Sequence, residues 1–218
     1  MRKSKNARKW LIRAIVLELV ILISLSGYAY GKYVTQESAG GNLQITAELG
    51  KVNLQEHQAV KDEKGQYDLN GTLVQSNAYT TVLPGLDIPK DPYVTVTEKS
   101  PIPAYLFVEV WDNIPTTTVG SESKKLMTYT VDTNNWKLVG TYSEKSVYVY
   151  TGGTGDAKQI TANLAKTRIL ADDTVYVSQY LKKMKLPAGG IQINFRAVLK
   201  QCVTGKIPAD VYNDTTDY

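Results

Sequence analysis

Residues equipped for catalysis are sparse in this chain. One histidine, His57 in QEHQ, and one cysteine, Cys202, serve all of it. Zinc hydrolysis needs three ligands and a general base, and the HExxH pair cannot be built from a single imidazole. A serine or cysteine nucleophile would have to borrow the same His57, and no GxSxG elbow is present. The charged surroundings of His57 predict a solvated loop residue. Residues 152–155 (GGTG) lack the lysine and the strand-to-helix setting of a phosphate loop, so they read as a turn. Asp172, Asp173 and the C-terminal Asp210, Asp214 and Asp217 lack the spaced ligands of a calcium loop. No enzyme activity, catalytic residue, cofactor or metal site is therefore expected. Among Ala197, Val198, Leu199 and Val203, Cys202 is expected to act as a small buried hydrophobe, and it has no partner for an internal disulfide.

The 218 residues suffice for one domain with a real core. The net charge of +4 suggests nucleic acid or an anionic membrane, but its location argues otherwise. Arg2, Lys3, Lys5, Arg8, Lys9 and Arg13 face only Glu18 within residues 1–31. The rest of the chain is close to neutral, so no nucleic-acid partner is expected. Fifteen tyrosines against two phenylalanines, with frequent Val and Thr, suit a pleated sheet with one wet face.

A basic opening, the apolar run of residues 11–25 and small residues beyond it predict a secretory signal peptide over 1–31. Its uncharged core, residues 19–25, falls short of the roughly 20 residues that span a bilayer. Ala29 and Gly31 fit the small positions before a cut, giving a mature start near Lys32. Contact with a membrane is expected only through this segment before cleavage.

Downstream the pattern is β throughout. In residues 82–110 (VLPGLDIPKDPYVTVTEKSPIPAYLFVEV), a Pro84-Gly85 turn leads to two alternating segments, 93–97 and 104–110. Ala104, Leu106, Val108 and Val110 share one face of the second segment. Pro101 and Pro103 separate the two, because proline cannot donate to a ladder. Residues 42–55 alternate through Leu43, Ile45, Ala47 and Leu49 up to Gly50, which bulges or reverses the strand. The charged stretch 56–70 predicts an exposed hairpin or loop, 73–82 a return to strand, and 112–125 a loop. Further strands are predicted over 126–131, 136–141, 146–151, 175–181 and 191–199, with 146–151 central. Ile160, Leu164 and Ala165 leave a short helix open within 157–170. Residues 206–218 read as an acidic, flexible tail. Eight to ten strands without βαβ alternation predict an all-β antiparallel sandwich of jelly-roll type over 32–205, preceded by the signal helix.

Three ordered stretches resemble the secreted bacterial family of the biofilm matrix protein TasA and of camelysin. They are GYAYGKY at 27–33 with GKVNLQE at 50–56; Pro84, Gly85, Lys90, Asp91 and Pro92 leading to AYLFVEV at 104–110; and INFRAVLKQ at 193–201. Two departures stand out. Gly31 replaces the family's aromatic after AY, and Glu98, Lys99 and Ser100 replace its Asn-Thr-Gly turn. The resemblance implies export through a dedicated signal peptidase of the SipW type. It also implies a jelly-roll subunit that self-associates into extracellular filaments at the cell surface or in the matrix.

In such filaments the N-terminal segment of one subunit adds as a strand to the next. Residues 32–49, with the row Leu43, Ile45, Ala47 and Leu49, suit that donation. They equally suit the first strand of their own sandwich. The alternative function is a non-assembling surface adhesin or pilus-associated binding module. A single histidine argues against the peptidase label attached to camelysin.

Overall fold

A computed structural model describes residues 50–80, 82–98, 100–181, 187 and 190–213, and the backbone of 35–38 and 44–45. The signal segment with Ala29 and Gly31 lies outside the described residues, as do Leu43, Ala47 and Leu49.

In chain order the strands begin with β1 (Thr35–Ser38), β2 (Gln44–Ile45), β3 (Lys51–Lys61), β4 (Tyr67–Val74), β5 (Asp87–Pro89) and β6 (Tyr93–Glu98). Next come β7 (Ala104–Asp112), β8 (Thr116–Val119), β9 (Glu122–Lys125), β10 (Met127–Thr128) and β11 (Trp136–Tyr142). β12 (Lys145–Tyr150), β13 (Gln159–Ile160), β14 (Leu164–Arg168), β15 (Thr174–Val177) and β16 (Ile193–Gln201) follow, and helix α1 (Pro208–Asn213) comes last. All pairings are antiparallel. The large sheet runs β11-β12-β7-β16-β1-β2, with β13 also on β7, and the second sheet runs β14-β6-β3-β4. A small β10-β15-β5 sheet closes one end, and β8 with β9 forms a separate hairpin. The chain is an all-β antiparallel sandwich.

Alternation places the core. Val52 and Leu54 of β3 and Val94 and Val96 of β6 meet Ala104, Leu106, Val108 and Val110 of β7 and Phe195, Ala197 and Leu199 of β16 in one buried cluster. Each fully buried aliphatic side chain contributes about 1.5–3 kcal/mol. β7 is buried on its outer face too, where Phe107 packs with Val147, Val149 and Val211. Glu109 on that face is wholly buried. Its carboxylate receives Arg196 from directly across the ladder at 2.5 Å, the Tyr212 hydroxyl at 2.8 Å and Lys145 at 3.1 Å.

Several expectations are corrected. Residues 112–125 are not a loop, because Thr116, Thr117, Thr118 and Val119 are β-branched and Gly120, at φ 66°, opens a two-residue hairpin turn. Within 157–170 two short strands replace the possible helix. β13 finds hydrogen-bond partners on β7, and β14 finds them on β6 across a bulge. The strand expected over 73–82 ends at Val74, having begun at Tyr67.

The tail contains α1. Pro208 suits the first helical position, and Tyr212 packs 5.4 Å from Phe107 and 5.2 Å from Tyr142, centroid to centroid. Val211 is buried beneath it. Residues 35–38, which show no core face in sequence, pair with β16.

Burial raises the Glu109 pKa, but Arg196, Tyr212 and Lys145 more than offset it and hold the carboxyl below its ordinary range. Asp132 is lowered likewise against its own burial by Asn135, Arg168 and the Asn134 amide. A carboxylate depressed on folding contributes stability that is present above its unfolded pKa of about 4 and lost as pH falls through the folded value. Urea midpoints measured from pH 7 down to pH ~3 should therefore fall for the wild-type chain. Glu109→Gln should be less stable at pH 7, with a visibly shallower acid slope.

Candidate assembly site

The positions singled out in sequence around residues 84–92 act together. Gly85 takes φ 87°, open to glycine at no steric cost, and its amide donates to the Val177 carbonyl at 2.7 Å. The turn thereby starts β5 on β15. Beyond β5, Lys90 and Asp91 run past β3 and reach two consecutive residues on opposite faces of it.

Glu56 continues the inward row of Val52 and Leu54 and is buried, so its charge needs a partner. Lys90, also buried, supplies it at 2.9 Å, with its ammonium 5.6 Å over the Phe195 ring. The second Glu56 oxygen receives the Asn77 amide at 2.6 Å. His57 points the other way. Asp91 receives the His57 backbone amide at 2.9 Å and lies 2.5 Å from its Nδ1. Lys166 approaches the Asp91 carboxylate to 3.9 Å and sits 4.1 Å over the Tyr93 ring.

His57 is thus a strand residue held by a carboxylate, which corrects the expected solvated loop. Its ring contacts among the described residues are Asp91, Lys166 and Tyr93. Pro92 gives its carbonyl to the Ile169 amide at 2.9 Å. The Tyr79 hydroxyl donates to the Pro89 carbonyl at 2.5 Å. Burial, reinforced by the charges of Glu56 and Asp91, pushes the Tyr79 pKa well up and keeps it a donor.

Beside this cross-tie lies a cleft of about 770 Å³. It runs between residues 54–56 of β3, the extended segment 75–80 and residues 190–195, over a floor that includes Leu54, Ile88, Val175 and Phe195. β1 covers β16 from Arg196 to Leu199 among the described residues. Among the described residues, Ile193, Asn194 and Phe195 carry no strand on that side. A strand edge beside a trough with an apolar floor is a template for one more strand.

Of the candidate donor residues, Ile45 lies in β2, opposite Thr35 of β1. No group of His, Cys, Asp and Glu suited to hold a metal ion gathers among the described residues. Cys202 is half-buried rather than buried. Burial pushes its thiol up to about 11 despite a Tyr105 hydrogen bond. Sequence inspection missed Glu56 and His57 as partners of Lys90 and Asp91. The available signal was phase, since Glu56 falls on the same face as Val52 and Leu54.

No protein family, curated protein or solved structure matches the chain.

Removing one member of a buried ion pair strands the other. Lys90→Ala should therefore cost about 3–5 kcal/mol in urea unfolding. Glu56→Gln combined with Lys90→Met, which keeps an acceptor for the Asn77 amide, should recover more than half of that loss. A single variant as stable as the wild type would show that the tie contributes nothing.

Proposed function

We propose that this chain is a secreted, non-enzymatic structural protein that builds extracellular fibres by strand addition, in a biofilm matrix or at the cell surface. The uncovered stretch of β16 beside the cleft is the observation that carries this reading. A strand laid there would find, among the described residues, backbone with no strand partner on one side and an apolar floor for every second side chain. The donor is residues 32–49 of a neighbouring copy, with Leu43, Ile45, Ala47 and Leu49 as the apolar row.

Among the described residues β1 pairs with β16 over four residues at the sheet edge, a position from which a strand can be exchanged, and this supports the reading. Strand donation from one copy to the next is heterologous and extends without closing. The resemblance to the TasA and camelysin family supports the same function, with export by a dedicated signal peptidase that leaves a mature start near Lys32. The near-neutral charge beyond residue 31 supports contact with protein rather than nucleic acid.

The second reading is a non-assembling surface adhesin or pilus-associated module. The cis pairing of β1 favours it, because a chain that covers part of its own edge has less need of a neighbour.

Negative-stain electron microscopy of the form starting at Lys32, beside a form starting at Gly50, decides between them. Filaments are expected from the longer form alone. Adding a peptide of residues 32–49 to the shorter form should raise its melting temperature. Monomers from both forms would rule out strand addition and leave the adhesin.

A further inference from the structure

The two ends of β16 carry unlike surfaces. Its first residue pairs with Asp112 and its last with Ala104, so its nine residues separate the ends by about 30 Å. Near the first end, at the Pro84-Gly85 turn, Leu83 and Leu86 are each 40% exposed and Tyr176 is 43% exposed. Beside Leu83 and Leu86 a notch of about 230 Å³ is lined also by Gln66, Tyr67, Asp87 and Ile88. The Tyr67 ring is braced edge-on against Tyr79 at 5.0 Å, so this wall is firm. Past the last end of β16, the turn at 203–206 presents Val203 at 37% exposure and Ile207 at 62%, the most exposed large apolar side chain among the described residues.

We propose that Ile207 of one copy seats in the notch beside the Pro84-Gly85 turn of the next. The inference rests on the assembly reading and adds to it a second, side-chain contact. Charge agrees with the pairing, because exposed Lys206 precedes the knob and exposed Asp87 lines the notch. Direction agrees as well. Thr35 of β1 lies opposite Leu199, and β3 starts opposite Glu98, so the donor segment is tethered at the knob end. The cleft along residues 190–195 lies at the notch end. A strand donated from knob end to notch end brings Ile207 of one copy to the Leu83 and Leu86 edge of the notch on the next, with the same polarity. A knob on one pole that fits a hole on the other makes a heterologous contact that repeats without closing. It also covers apolar surface that a lone chain leaves in water.

The test uses the full chain expressed in an exporting host and purified from the medium. Leu86→Asp and Ile207→Asp should each slow filament elongation in light scattering by about tenfold or more, while the monomer's thermal midpoint stays near the wild type because both side chains are exposed. In a Cys202→Ser background, Leu86→Cys with Ile207→Cys should give a disulfide-linked ladder when filaments are oxidised. Either cysteine alone should give nothing beyond a dimer. Wild-type elongation in both aspartate variants, or double-cysteine filaments without a ladder, would overturn this contact and leave strand addition standing. A wild-type chain that stays monomeric would overturn both.

Discussion

Strand β7 imposes the constraint on which the rest depends. It pairs with β16 along its whole length, and with β12 and β13 on its other edge, while side chains on both of its faces are buried. Such a strand has no route to solvent for a charge, yet its sixth residue is Glu109. Burying that carboxylate alone would cost several kcal/mol. Three elements converge to prevent it: Arg196 from β16, Lys145 from β12 and Tyr212 from α1. The position of the C-terminal helix follows from that need as much as from the packing of Val211. One acidic residue in an otherwise apolar strand thus fixes where the end of the chain returns to the sheet.

A second buried charge organises the opposite sheet. Glu56 and His57 face opposite ways from β3, and Lys90 and Asp91 straddle the strand to meet them. Because an ion pair, unlike an apolar contact, has direction, it fixes both the depth and the register of the segment after β5. That segment forms one wall of the cleft. Filled with aliphatic side chains, the same space could slide or collapse; held by a lysine and a glutamate at 2.9 Å, it keeps its opening.

The strands with clean alternation were legible in sequence, because residues such as Ala104 to Val110 and Phe195 to Leu199 state which way each side chain faces. The turn at Pro84 and Gly85 was legible for the same local reason. Partnership was not. Glu56 and Lys90 lie 34 residues apart, and only the phase of Glu56 with Val52 and Leu54 hinted that it needed a cation. β13 and β14 escaped because neither has an internal pattern long enough to declare a period, and each exists through the edge it joins. α1 was hidden by its polar neighbours, although Pro208 followed by Ala209 and Val211 carried a start signal. The cleft could not be read at all, since its walls come from segments as far apart in sequence as residues 54–56, 75–80 and 190–195.

The lone thiol has a consequence for permanence. Outside the cell a solitary cysteine is ordinarily an invitation to covalent dimers, but Cys202 is half-sheltered and its thiol is pushed up to about 11. At neutral pH almost none of it is the reactive thiolate. In the proposed assembly Cys202 is therefore a poor covalent link between copies, and a filament would rest on its strand and side-chain contacts instead.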